Sequence, residues 1–191
     1  MELDAQFWQS RYENNQAGWD LGSASPPLVH YFNQLENKNI KILIPGCGNA
    51  HEAEYLFKNG FQNVFVIDLA EAPLKNFKSR VPEFPENQLI QGDYFNLEDT
   101  FDLIIEQTLF CAINPVLRTE YVNKTSNLLI ENGKFVGLLF DRMFDGGPPF
   151  GGTKIEYLEY FKPNFESIYM ESCYNSIAPR QGSEVFFIAR K

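Results

Sequence analysis

Two glycines one residue apart, Gly46 and Gly48, stand in "LIPGCGNAHE" (43–52), and an acid, Asp68, follows twenty residues after the second. Glycine lets a chain turn sharply and lets backbone approach a ligand closely. A carboxylate at the end of the next strand can accept hydrogen bonds from both hydroxyls of a ribose. A third group is "QGDYF" (91–95). There Asp93 is placed to receive an adenine amino group, and Tyr94 or Phe95 to cover a ring face. These residue types, in this order, describe a site for an adenosine-containing ligand. The plainer readings are a helix- or turn-capping role for each aspartate and core packing for the two aromatics.

The turn also narrows the ligand. A nicotinamide fingerprint wants a third glycine at position 51, where this chain has His51. A pyrophosphate favours positive charge nearby, whereas the turn runs into Glu52 and Glu54. An adenosine without phosphates fits better, and S-adenosylmethionine (SAM), whose sulfonium cation tolerates an acidic pocket, is the expected cofactor. A nicotinamide oxidoreductase is disfavoured by His51. His51 itself reads as a helix-start residue and Cys47 as packing.

These residues need strands and helices to hold them. "IKILIP" (40–45), "NVFVID" (63–68), "QLIQGD" (88–93) and "FDLIIEQ" (101–107) read as strands, the last with the continuous apolar core of a strand covered on both faces. "HEAEYLFKNG" (51–60) and "EAPLKNFKSR" (71–80) read as helices between them. A helix is expected over 115–130, with Pro115 in its first turn, then a turn at Asn132–Gly133 and a strand over 134–141. Strands over 165–172 and 184–191 complete the chain. Alternating strands and helices imply a doubly wound α/β sheet with its ligand at the carboxyl ends of the strands.

The 191 residues suit a single domain. A formal net charge of -9 argues against binding a nucleic-acid backbone. No apolar run approaches the roughly 20 residues a membrane helix needs, and "MELDAQFWQSRY" is no signal peptide. Three cysteines without a CxxC pair fit a reduced, cytoplasmic chain with no metal site. A small-molecule partner is expected.

Four segments carry a family resemblance. "FWQSRYENNQAGWDLGSASPPLVHYF" (7–32), "LIPGCGNAHE" (43–52), "FDLIIEQTLFCAINPVLR" (101–118) and "GGPPF" (146–150) occur in that order. They resemble the thiopurine S-methyltransferase family, and within it the halide/thiol (thiocyanate) methyltransferase branch. The resemblance implies a Rossmann-like, seven-stranded SAM-dependent methyltransferase fold, with residues 1–35 as an N-terminal helical lid. It implies that Trp8, Tyr12 and Trp19 close over the cofactor, with Tyr12 where the branch has tryptophan. It carries cofactor-binding roles to Gly46, Asp68, Asp93 and Tyr94. A further contact, tyrosine in the branch and arginine in the thiopurine enzyme, falls on Gln107, which departs from both. An indole face attracts a cation, which suits a lid over a sulfonium; anchoring a helix to the core is the plainer use of Trp8 and Trp19.

The expected reaction is methyl transfer from SAM to a small soft nucleophile (thiol, hydrosulfide or halide), leaving S-adenosylhomocysteine. Such nucleophiles need no general base, so no side chain is assigned as catalytic. Proximity and desolvation would carry the rate. Arg118, Arg142 and Arg180 are candidates for an anion-attracting rim, or else structural arginines. A thiopurine- or metalloid-type S-methyltransferase, or a SAM-binding sensor without turnover, are the alternatives.

Overall fold

A computed structural model of the protein describes residues 3–191. Its contacts divide the chain into two compact units, Met1–Leu97 and Glu98–Lys191.

The first unit begins with α1 (Ala5–Glu13), capped by Asp4, whose carboxylate accepts from Phe7 N at 2.8 Å. No residue of α1 is fully buried. A second helix, α2 (Pro26–Phe32), starts on two prolines, whose missing N–H groups cost nothing in a first turn. It buries Leu28 and Phe32. The four residues of β1 (Ile42–Pro45) are all buried, as suits a strand covered on both faces. Next come α3 (His51–Lys58), β2 (Val64–Asp68), α4 (Glu71–Arg80) and β3 (Leu89–Gln91). The inner face of α3 is Ala53 and Leu56, three residues apart and both fully buried. β1 and β3 flank β2, all parallel. The third strand is shorter than the sequence implies, because Asp93 leaves it to cap a 3₁₀ turn at Tyr94–Asn96.

The second unit holds β4 (Phe101–Gln107), α5 (Arg118–Leu128), β5 (Leu129–Phe140), α6 (Lys154–Phe161), β6 (Ser167–Ser172) and β7 (Glu184–Arg190). β4 and β5 are parallel, while β7 runs antiparallel to both β5 and β6. The strand β5 starts earlier than expected. Asn132 takes a left-handed φ of 62° inside it, and the register with β4 shifts there instead of the strand ending. The helix α6 is an element the hydrophobic pattern did not reveal. Its start is nonetheless written in the chain: Thr153 accepts from Glu156 N at 3.3 Å, the Thr-x-x-Glu arrangement of a capping box.

The core of this unit is aromatic. Phe135, Phe161 and Phe187, all fully buried, meet with ring centroids 4.8 to 5.5 Å apart. The seven strands run in the order β3-β2-β1-β4-β5-β7-β6, a mixed sheet with helices, as the alternating pattern implied. Among the described residues no helix is long and apolar enough to cross a membrane.

Candidate active site

The glycine turn leaves β1 at its carboxyl end. Gly46, Gly48 and Ala50 all adopt left-handed φ values, of 56°, 52° and 55°. The two glycines adopt this at no steric cost, whereas Ala50 does so with a Cβ. The turn is knit by one bond of its own backbone and by two to the end of β2. Cys47 N donates to Ile67 O at 3.3 Å, and Ala50 N donates to Cys47 O at 2.8 Å. Gly48 N donates to Asp68 Oδ2 at 2.9 Å.

Asp68 ends β2, and its other oxygen, Oδ1, accepts from Ala70 N at 2.9 Å. The side chain is buried, and burial raises its pKa above the ordinary carboxylate value despite these donors. Burial and the Asp68 charge push the Cys47 thiol well above its ordinary value, so Cys47 is not an activated thiolate.

The N-terminal aromatics gather over this turn. Trp8 and Trp19 meet edge to face at 5.5 Å, and Tyr12 and Trp19 at 5.7 Å. Trp19 Nε1 donates to the Tyr12 hydroxyl at 3.3 Å. A Cβ added to Gly48 would fall 2.6 Å from that hydroxyl oxygen and push the Tyr12 ring end aside, while the left-handed φ is what favours glycine there. Burial, and secondarily the Asp68 carboxylate, hold the Tyr12 proton firmly.

Three polar ties dock the N-terminal segment, none of them marked by the sequence reading. Gln9 Oε1 accepts from Glu71 N at 2.9 Å and Ala72 N at 3.0 Å, capping α4, whose own N-cap Ala70 supplies no side-chain bond. Ser25 N donates to the buried Glu52 Oε1 at 2.9 Å. Asp20 accepts from His51 Nε2 at 2.7 Å, from Asn49 Nδ2, and from Gly22 N at 2.7 Å. The His51 hydrogen bond, with those from Asn49 and Gly22, outweighs burial and holds the Asp20 carboxyl well below its ordinary value. The only advance signal for Asp20 was its place beside Trp19 in "WDLG".

Of the eight candidate cofactor residues, Trp8, Tyr12, Trp19, Gly46 and Asp68 therefore lie around one turn. Asp93 and Tyr94 lie just past β3, where Gly92 N donates to Asp68 O at 2.9 Å. Asp93 caps its own turn, accepting from Phe95 N at 3.0 Å, and Tyr94 is buried.

Gln107 belongs to the second unit, at the end of β4. Its Oε1 is buried without a hydrogen-bond partner. The next residue, Thr108, has a φ of 67°, an uncommon conformation for a β-branched side chain. Behind it, the fully buried Glu106 accepts from Phe110 N at 2.9 Å and from the Tyr121 hydroxyl. Burial pushes the Glu106 carboxyl up to about 7. A small cavity adjoins it, lined by Glu106, Thr108, Cys111, Phe140, Tyr157 and Glu184 among others.

The three arginines differ. Arg118 is only 2% exposed and ties the backbone of Phe150 and Gly151 to α6, donating to Phe150 O, Gly151 O and Glu156 Oε1 at 3.0 to 3.2 Å. Arg180 is buried against Glu184 at 3.3 Å. Arg142 is exposed, its guanidinium 4.6 Å from the Phe144 ring centroid.

A seven-stranded mixed sheet with a glycine turn after its first strand is the architecture of Rossmann-like methyltransferases. The fold matches a Burkholderia thailandensis 1,6-didemethyltoxoflavin-N1-methyltransferase, solved with its substrate and S-adenosylhomocysteine, with a TM-score of 0.79. That match covers 98% of this chain and 86% of the other, at 18% identity.

The sequence identifies the family. A model of the thiopurine S-methyltransferase (TPMT) family matches residues 3–186, and the chain belongs to that family. Thiocyanate methyltransferase 1 of Brassica oleracea is 28% identical over 184 residues, 93% of this chain and 81% of that protein. A thiopurine S-methyltransferase of Vibrio cholerae (serotype O1, strain ATCC 39541 / Classical Ogawa 395 / O395) is 25% identical, over 83% of this chain and 81% of its own length. The protein is a SAM-dependent methyltransferase.

Proposed function

We propose that the methyl acceptor is a small sulfur nucleophile, a thiol or hydrosulfide, taken in preference to a halide. The observation that carries this choice is the buried, unpartnered Oε1 of Gln107. A buried acceptor without a donor is costly, and a neutral amide oxygen repels a bare anion. An acceptor that brings its own donor, such as S–H or a neighbouring hydroxyl or amine, satisfies it. Relatives named thiocyanate methyltransferase 1 and probable thiol methyltransferase 2 support a soft acceptor.

The cofactor reading of the glycine turn is also a proposal. Asp68 would accept from the ribose hydroxyls, and Asp93 and Tyr94 would hold the adenine. Trp8, Tyr12 and Trp19, within a lid formed by residues 1–35, would cover the sulfonium and exclude water. The donor set suits SAM: aromatic faces attract a cation, and the 43–52 turn contains no lysine or arginine. The nearby Arg80 is spent on Glu54, 3.0 Å away.

SAM supplies an activated methyl group to an in-line nucleophile. The chain's part is to align and desolvate the partners. A thiol or hydrosulfide would bind through its S–H. As the methyl group passes from the sulfonium to that sulfur, the proton is released to solvent, leaving the S-methylated product and S-adenosylhomocysteine, so no side chain is assigned as a base.

The test is production of S-adenosylhomocysteine over a panel of hydrosulfide, small thiols, a thiopurine, thiocyanate and iodide at fixed SAM and pH. Sulfur acceptors should exceed iodide. Gln107→Tyr should raise the iodide-to-thiol ratio several-fold, as a hydroxyl donor replaces the amide oxygen (about 1 kcal/mol). A parent that prefers iodide, or a ratio that stays put in the mutant, removes Gln107 from acceptor choice.

A further inference from the structure

Ala50 is left-handed, 1% exposed, and lies between two residues whose side chains reach the same carboxylate. Asn49 and His51 both bond to Asp20, 29 and 31 residues earlier in the chain. The helix that starts here, α3, has no side-chain cap of its own. Left to local preference, an alanine would relax out of this conformation, since its Cβ crowds the following carbonyl. Relaxation would shift the start of α3 and, two residues back, draw Gly48 N off Asp68.

We propose that Asp20 is a positioning residue for cofactor binding: by tying Asn49 and His51 to one carboxylate it holds Ala50 in the left-handed conformation that aims the glycine turn. Its effect reaches the ligand through Ala50, Gly48 and Asp68. Further ties make the same frame stiff. Asn49 Oδ1 accepts from Asn76 Nδ2 at 3.1 Å, and Arg80 donates to Asn49 O. Asp20 sits one residue after Trp19, so the segment that carries the aromatics also sets the turn beneath them. The N-terminal segment is then part of the site's geometry and more than a cover. The inference rests on the reading of this turn as the cofactor site.

The experiment is calorimetric titration of the full chain with S-adenosylhomocysteine. Asp20→Ala should weaken binding about tenfold, the size expected for losing charge-assisted hydrogen bonds. In that background Ala50→Gly removes the conformational penalty and should restore affinity to within about threefold of the parent. Thermal melts of each variant separate a folding loss from a binding loss. Steady-state assays should place the Asp20→Ala defect in the KM for SAM, with kcat at saturating SAM little changed. An Asp20→Ala affinity equal to the parent's overturns the proposal. So does a loss that Ala50→Gly leaves unrepaired, which would make Asp20 a simple anchor of the N-terminal segment. Asp68→Ala is the separate control. If it binds normally, the reading of the turn as the cofactor site fails, whatever Asp20 does.

Discussion

Both units place a non-glycine left-handed residue beside the candidate functional groups, and they hold it in opposite ways. In the first unit Ala50, with a φ of 55°, is framed by Asp20 from about thirty residues away. In the second, Thr108, with a φ of 67°, is held by its own neighbourhood. Its hydroxyl donates to Gln107 O at 2.6 Å, Cys111 Sγ donates to its carbonyl at 3.1 Å, and Glu106 fixes Phe110 N. A left-handed non-glycine residue costs on the order of 1–3 kcal/mol and persists only where surroundings over-determine it. The first unit meets that cost with a half-buried, polar, long-range frame. The second meets it with bonds between chain neighbours, at the edge of an aromatic core where the Glu106 carboxylate is wholly desolvated. The one frame depends on a docked N-terminal segment, the other on residues next to it in the chain.

Breaking the second unit's core should have the largest effect. Phe135→Ala removes a fully buried ring from the Phe161–Phe187 cluster. It should destabilise the chain by about 3–5 kcal/mol in urea melts, while SAM affinity of the folded fraction stays close to the parent's. A large affinity loss at constant folded fraction would erase the contrast between the units.

Asp68→Ala should do the reverse. Loss of a charged acceptor for two hydroxyls should weaken SAM binding by about 2–4 kcal/mol, with a smaller change in melting temperature. Normal titration of a folded Asp68→Ala protein would take the ribose role from Asp68.

The third effect is a pH dependence. Glu106 titrates near 7 when folded, against an ordinary value of 4.5, because burial disfavours its charge. The folded chain therefore binds a proton that the unfolded chain has released. Stability from this group is full below about 4.5 and is lost as pH rises towards and through about 7, by on the order of 3 kcal/mol. Glu106→Gln should flatten the stability profile between pH 5 and pH 8. A profile of unchanged slope would mean that Glu106 is charged throughout and that its neighbours stabilise the anion.

Much of the frame was readable beforehand. The strand over 63–68 and the helix over 71–80 are found as β2 and α4 with nearly the expected bounds, because each carries an unbroken apolar run or face and a plain stop. The strand expected over 88–93 ends at Gln91, since Asp93 bonds its own backbone two residues on. The helix expected over 115–130 begins as a 3₁₀ turn at Pro115–Leu117 and becomes α5 only at Arg118. The Thr153 cap was equally present in the sequence and went unread, because a short helix with a weak apolar stripe does not stand out by periodicity.

The candidate site divides along the same line. Gly46, Gly48 and Asp68 were legible because the pattern that reveals them is local: a strand, a tight turn, a helix, and the end of the next strand. The departure at Gln107 was legible as a letter, but the burial of its amide oxygen was not. Gln9 was invisible and Asp20 was marked only by its place beside Trp19, since each acts on backbone or side chains dozens of residues away through a distance that only the folded chain makes short. Local conformational preference is written residue by residue, and so the sequence by itself determined the elements, the glycine turn and the acid at the next strand end. Which carboxylate frames Ala50, which hydroxyl covers Gly48, and which carboxyl is driven up by burial depend on groups brought together across the chain, and these only the tertiary structure decided.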